Sequence, residues 1–333
     1  MHATTQLSPP LRAVATPVGA EVYRGLTAVP KTLSPWLFYD AEGSALFEEI
    51  TLLPEYYLTR TEAKIFSENA DAIVAAAAAV SSTTRPRREL TMIELGAGTA
   101  TKTGLLLAAA VRRQGQVIYQ PIDVSSTALD EARLRLESSL PGVIVLPRVA
   151  DYTDGLGAIH DRGRQRLVLY IGSSIGNFDP RDAQQLLTDI RHQLAPGDCL
   201  LLGTDLVKPE HLLLAAYNDT SGITAAFNKN VLNRINREID ADFDLDLFQH
   251  RAIWNASQSR IEMHLESTES QQVSIAALDL SVEFEPGETI HTENSYKFTR
   301  ARISTMLTAT GFGLVKQWTD PNAWFGVTLA SVI

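Results

Sequence analysis

The chain has 333 residues, 45% of them apolar and 20% charged, with 39 acidic against 29 basic side chains and a net charge of −10. That balance is enough to build a core and excludes wholesale disorder. It also argues against a nucleic-acid backbone or an anionic membrane surface as partner, since Arg85-Pro86-Arg87-Arg88 is the one short basic block.

Residues 1–19 are rich in Pro, Thr and Ala and read as a flexible start. Aromatic residues then crowd the stretch from Val22 to Arg60, which reads as short helices and loops offering rings to a pocket. Thr61 to Ala79 reads as a helix with Thr61 as its cap and Glu62 in its first turn, and 81–86 breaks it. From residue 90 the pattern alternates. Strands are expected at Leu90–Leu95, Val117–Ile122, Val143–Leu146, Arg166–Ile171 and Asp198–Asp205, and helices at Thr101–Arg113, Ser125–Leu140 and Pro180–Leu194. Continuous apolar strands separated by helices predict a parallel sheet covered on both faces. Leu212–Ile239 reads as helical, followed by strand-like stretches near Ala252, Glu262 and Val273. Lys297–Thr310 then reads as a helix, and Gly313–Trp318 and Phe325–Val332 as strands. The Asp320-Pro321-Asn322 turn is too short for a crossover, so these last strands should form an antiparallel hairpin.

The single cysteine, Cys199, sits in an apolar run and reads as a buried structural thiol, with no disulfide available to it. The seven histidines show no HxH or HxxxH pair, so no metal site is expected. No apolar stretch reaches the roughly 20 residues that cross a bilayer. The N-terminus lacks the basic start and apolar core of a signal peptide. The expectation is a soluble cytoplasmic protein, monomeric by default.

The sharpest local signal is Glu94-Leu95-Gly96-Ala97-Gly98-Thr99 at the end of the first strand of the alternating region. Glycines at that corner let the backbone pass close to a ligand, and the following helix offers N–H groups. Asp123 ends the next strand, 25 residues beyond Gly98, where a carboxylate can accept from both hydroxyls of a ribose. Three cofactors compete. A dinucleotide fingerprint wants a third glycine where Thr101 stands, and a P-loop wants its second glycine at that same Thr101, although Lys102 and Thr103 follow in place. S-adenosylmethionine (SAM) carries no phosphates, needs only the two glycines, and is favoured, with Glu94 near its amino-acid end.

Several runs together carry a family resemblance. They are Phe38-Tyr39-Asp40 with Gly43-Ser44 and Leu46-Phe47, Leu53-Pro54-Glu55-Tyr56-Tyr57 with Thr59-Arg60 and Glu62, Gly172-Ser173-Ser174-Ile175-Gly176-Asn177-Phe178, Ala216-Tyr217-Asn218-Asp219, Thr224-Ala225-Ala226-Phe227-Asn228 with Asn230, and Thr292-Glu293-Asn294-Ser295-Tyr296-Lys297-Phe298. Over about residues 20–333 the chain resembles the histidine-specific SAM-dependent methyltransferases, which make hercynine (trimethylhistidine) for ergothioneine biosynthesis. Leu58 departs from the pattern, in which many relatives have proline.

The resemblance implies an α/β class I SAM-dependent methyltransferase fold, Rossmann-like, with a seven-stranded sheet ending in the antiparallel hairpin. That domain would take residues 62–206 and 298–333, and a discontinuous α+β substrate-binding domain 20–61 and 207–297. By the resemblance SAM is held by Gly96, Gly98, Lys102, Asp123, Asp151 and Tyr152, and S-adenosylhomocysteine leaves as product. L-Histidine is held by Tyr56, Asn177, Tyr217, Glu293 and Ser295, with Tyr39, Phe47 and Met263 as pocket wall and Tyr39, Tyr56 and Asn177 nearest the chemistry. The residue types suit the task. Asn177 and Tyr217 offer neutral donors to an α-carboxylate, while Glu293 and Ser295, two apart on a strand, can address the two imidazole nitrogens. Two other readings stay open: a sister enzyme acting on tryptophan or a derivative, and a non-catalytic binder of SAM or of a nucleotide.

Overall fold

The computed structural model describes residues 16–80, 89–150 and 164–333. The chain divides into two compact units, one formed by the described part of Met1–Tyr57 with Lys208–Ser295, the other by the described part of Leu58–Val207 with Tyr296–Ile333.

In the larger unit seven strands lie side by side in the order Phe312–Thr319, Phe325–Val332, Cys199–Asp205, Gln165–Tyr170, Leu90–Leu95, Val117–Asp123 and Val143–Val145. The last five of these pair in parallel, and Phe325–Val332 enters antiparallel between Cys199–Asp205 and Phe312–Thr319. This is the sheet with a reversed terminal hairpin that the resemblance implies. An eighth, two-residue strand, Arg148–Val149, also pairs with Val117–Asp123. The expected strand to Leu146 stops at Val145, although the Leu146 N–H still donates to the Tyr119 carbonyl at 2.8 Å.

The central strands are mostly apolar because helices cover both faces of the sheet. Leu90–Leu95 and Cys199–Asp205 are buried at every position. Ile93, Val168, Leu200, Leu187, Ile303 and Phe312 meet in one core cluster of this unit. Cys199 is fully buried, and burial pushes its thiol up to about 12, so it packs as an apolar side chain. Chain order reverses between the neighbouring strands Leu90–Leu95 and Gln165–Tyr170. The carboxyl ends of those two strands flank the switch point of the sheet, the place where such folds bind ligands. The runs beginning at Gly96 and Gly172 leave the sheet there.

The smaller unit holds a four-stranded sheet in the order Lys31–Thr32, Thr289–Tyr296, Arg260–Ser267 and Phe248–Asn255, and a separate hairpin of Gln271–Ile275 with Leu280–Phe284. The helical stretch expected over 212–239 is made of two helices, Glu210–Tyr217 and Ile223–Ile239. The run Asn218-Asp219-Thr220-Ser221-Gly222 is turn chemistry. Gly222 takes a left-handed φ of 76°, and Asp219 caps the second helix by accepting from the Ile223 and Thr224 N–H groups at 3.1 and 2.8 Å. Burial pushes the Asp219 carboxyl upward, but those N–H donors outweigh it and hold the group below its ordinary range.

Two further boundaries differ from expectation. Thr16 to Ala20 fall inside the stretch read as a flexible start or just beyond it, and there the Thr16 hydroxyl caps the helix Pro17–Leu26 with Pro17 in its first turn. The helix expected from Thr61 runs from Tyr57 to Ala79, so Thr61 and Glu62 are buried inside it instead of capping it. Leu58 falls in its first turn, where proline is also tolerated. No described helix is long and apolar enough to cross a membrane.

Candidate functional site

In the larger unit the Gly96 turn follows directly from strand Leu90–Leu95. Gly96 and Gly98 both take left-handed φ, at 65° and 49°, and a side chain on Gly98 would point into open space, so the turn runs bare along its outer face. Its amides are committed. The Gly96 and Ala97 N–H groups donate to the Ile122 carbonyl at 2.9 and 3.2 Å, and the Gly98 N–H donates to Asp123 Oδ2 at 2.8 Å. A turn whose three N–H groups are spent inside the protein is a poor phosphate cradle, which disfavours the P-loop and dinucleotide alternatives.

Asp123 closes strand Val117–Asp123 and holds the turn from the side. Its Oδ1 accepts from the Ser125 N–H at 3.0 Å, and it is Ser125 that caps the following helix by accepting from Ala128 N–H. Each Asp123 oxygen has therefore taken one N–H and keeps a second lone pair, the acceptor capacity that a ribose diol requires. The residues present fit SAM in this respect.

Glu94, expected near the amino-acid end of that ligand, is turned inward. It is buried and accepts from the Thr103 hydroxyl at 2.9 Å and from the Tyr119 hydroxyl. Burial raises its carboxyl to about 7 despite those two hydrogen bonds. Lys102 does not extend into solvent either, for its ammonium pairs with the Glu62 carboxylate. The sequence placed Glu62 in a motif and in the first turn of a helix, with no part in the site. Asn177 ends the short turn Ser174–Asn177 that follows strand Gln165–Tyr170. Within that turn a Cβ on Gly176 would come within 2.8 Å of the Tyr296 carbonyl, so the run needs its glycine. Asp151 and Tyr152 lie outside the described residues.

In the smaller unit a chain of rings links the expected substrate residues. Tyr39 meets Phe47 edge-on at 5.8 Å between centroids, Phe47 meets Tyr56 at 6.2 Å, and Tyr56 meets Tyr217 at 6.4 Å. The Tyr217 hydroxyl then lies 2.7 Å from Ser295 Oγ. Phe227, quoted in the sequence without a role, packs at about 6 Å against both Tyr39 and Phe47. Tyr56, Tyr217, Met263, Glu293 and Ser295 are buried, while Tyr39 keeps an exposed edge.

Strand Thr289–Tyr296 presents the polar pair. Its burial alternates through Ile290 and Thr292, then shifts phase so that Glu293 and Ser295 are both buried. An internal network holds this strand to its neighbours. The Thr292 hydroxyl lies 2.7 Å from Asn228 Oδ1 and 3.0 Å from the Met263 carbonyl. The Asn228 amide donates to His250 Nδ1 at 2.9 Å and to the His264 carbonyl at 3.0 Å. His250 Nε2 reaches the Tyr217 carbonyl at 2.8 Å, and since a carbonyl only accepts, that nitrogen carries the proton. Burial holds the His250 pKa below its ordinary value, so the ring stays neutral in that tautomer. Asn228 and His250 thus brace Tyr217, a role that became visible only when separated segments came together.

Glu262, His264 and His291 offer ligand atoms within 4.8 Å of one another. The two imidazoles, however, stack nearly parallel at 4.6 Å, so their in-plane lone pairs run side by side instead of converging. Glu262 is already bound by Arg260 at 2.7 Å and by Asn255 at 2.9 Å. This cluster does not have the donor directions of a metal centre.

A family model described as histidine-specific methyltransferase, SAM-dependent, matches residues 18–332. The chain belongs to the histidine-specific, SAM-dependent methyltransferases. It is 45% identical over 312 residues to a histidine N-alpha-methyltransferase of Mycolicibacterium smegmatis, covering 93% of each chain. It is 43% identical to a protein of the same name from Mycobacterium tuberculosis, over 93% of this chain and 94% of that one. It is also 28% identical to ergothioneine biosynthesis protein 1 of Schizosaccharomyces pombe, over 85% of this chain but 36% of that longer protein. Membership of the family makes SAM the methyl donor.

Proposed function

We infer that this methyltransferase transfers three methyl groups in succession from SAM to the α-amino group of L-histidine, forming hercynine for ergothioneine biosynthesis and releasing S-adenosylhomocysteine after each transfer. The observation that carries the reading is the grouping of Tyr217, Ser295 and Glu293 in one unit, with the Tyr217 and Ser295 hydroxyls 2.7 Å apart. A carboxylate and a hydroxyl two residues apart can meet the two nitrogens of an imidazole, one accepting from N–H and the other serving the second nitrogen. A tyrosine hydroxyl beside them can donate to the ligand's α-carboxylate.

The residues of the larger unit are assigned to the donor. Gly96 and Gly98 keep its approach clear, Asp123 accepts from the ribose hydroxyls, and Lys102 bears the positive charge at its carboxylate end. Asp151 and Tyr152 are assigned to adenine on the resemblance. When bound, SAM supplies a methyl carbon on a cationic sulfur. Asn177 and Tyr217 fix the histidine carboxylate, which aims the amine. Holding the amine in line and close to contact distance is worth about 7–11 kcal/mol of the barrier. No dedicated base is assigned, because loss of water and the neighbouring cationic sulfur both favour the neutral form of the amine. Tyr39 and Tyr56 offer hydroxyls to the remaining amine protons, and with Phe47 they offer ring faces to the growing cation. Met263 completes the wall. The sequence of transfers ends when the nitrogen has no lone pair left.

The test is incubation with SAM and each amino acid in turn, followed by mass spectrometry. Histidine should gain one, two and then three methyl groups. Methylation of tryptophan or a derivative in preference to histidine would replace this substrate, and no methylation of any amino acid would overturn the reading.

A further inference from the structure

Glu62 has no solvent exposure, yet it is a carboxylate. Such a group is costly unless charge and hydrogen-bond donors surround it. Here it receives the Lys102 ammonium on one side. On the other, the Gly172 N–H lies 3.0 Å from both of its oxygens. The site is shaped to hold it, for a Cβ on Gly203 would collide with Glu62 Oε1.

Gly172 opens the turn that carries Asn177. Gly172 and Ser173 take successive left-handed conformations, with φ of 77° and 64°. The second is unfavourable for a residue with a side chain and persists only where neighbours over-determine it. Two contacts do so. The Glu62 carboxylate holds the Gly172 N–H, and Ser173 Oγ accepts from the Asp205 N–H at 2.9 Å. The Lys102 ammonium packs against the same peptide, 3.6 Å from where a Cβ on Gly172 would stand.

We propose that Glu62 is a positioning residue that joins the donor-binding lysine to the substrate-binding turn, setting Lys102 and the Gly172–Asn177 run from one buried carboxylate. Lys102 has three N–H donors, of which Glu62 orients the ammonium and leaves the others for the donor's carboxylate. Losing Lys102 releases Glu62 and, through Gly172, loosens the turn that bears Asn177. This rests on the assignment of SAM and histidine made above.

The test is a double-mutant cycle between Glu62→Gln and Lys102→Met, read by calorimetric titration with SAM and by the histidine KM at saturating SAM. The glutamine amide oxygen can still accept from Gly172, so the fold is retained while the charge is lost. Each single variant should weaken SAM binding about tenfold or more, and the double variant should lie within about threefold of Lys102→Met alone. Lys102→Met should also raise the histidine KM about fivefold. A merely structural glutamate would lower Tm without this non-additivity. Unchanged SAM affinity in Glu62→Gln, or two effects that multiply, overturns the proposal. If Glu62→Gln fails to fold, an unchanged histidine KM in Lys102→Met overturns it, and a raised one supports it. Wild-type protein that binds neither SAM nor histidine overturns the functional reading and this proposal together. Wild-type methylation with an unaltered Glu62→Gln overturns this proposal alone.

Discussion

The Tyr217 hydroxyl lies 2.7 Å from Ser295 Oγ, joining the last residue of helix Glu210–Tyr217 to strand Thr289–Tyr296. Because either hydroxyl can donate, the pair can turn one proton toward a ligand carboxylate and keep the other between themselves. Tyr217→Phe should raise the histidine KM about 10- to 100-fold, the worth of one hydrogen bond to a charged group. SAM affinity should stay within about threefold. An unchanged histidine KM in steady-state kinetics would remove Tyr217 from the substrate site.

Glu293 is the one buried carboxylate of the strand Thr289–Tyr296. Glu293→Ala should weaken histidine use by about 100-fold or more, since it removes a charged acceptor from a buried position. SAM binding should change little. Calorimetry in which both affinities fall equally would show that Glu293 does not read the imidazole.

Asp123 both secures the Gly98 N–H and keeps lone pairs for a ligand. Asp123→Ala should reduce SAM affinity by about 10- to 100-fold, with the histidine KM at saturating SAM almost unaltered. Retained SAM affinity in a titration would contradict the ribose assignment.

The Lys297–Asp205 ion pair is completely buried, at 2.9 Å. Lys297→Met leaves Asp205 charged and without its cation, which should cost about 3–5 kcal/mol of stability. Replacing both partners by apolar residues should recover much of that loss. Denaturant unfolding that shows Lys297→Met as stable as wild type would remove the pair from the stability of this unit.

Glu94 gives a pH signature. It loses its proton at about 7 when folded and near 4.5 when unfolded, so between those values the folded state binds the extra proton. This group's contribution therefore declines as pH rises from 4.5 through 7 and is level above that. The full span is about 3 kcal/mol. Glu94→Gln should become more stable relative to wild type as pH is raised from 5 to 8. An unaltered difference across that range in denaturant melts would show that Glu94 ionises as freely folded as unfolded.

How much of this was legible in the chain depends on the distance over which each interaction acts. The parallel sheet, the Gly96 turn, Asp123 at its strand end and the terminal hairpin are written in local periodicity and turn chemistry, and they stand as expected. The break at Asn218–Gly222 was also written locally, in an Asp cap and a left-handed glycine, but the apolar periodicity on either side masked it.

The sequence by itself determined the fold class and the family, and it put forward candidates for holding SAM and histidine, because residue types and their order along the chain are enough for those. Only the tertiary structure decided which of them are available. It paired Lys102 with Glu62 across 40 residues, turned Glu94 inward onto Tyr119, and set His250 and Asn228 behind Tyr217. Hydrogen bonds and ion pairs act over about 3 Å in space whatever the separation along the chain. A polar residue's function is therefore settled by which distant partner folding brings within that reach.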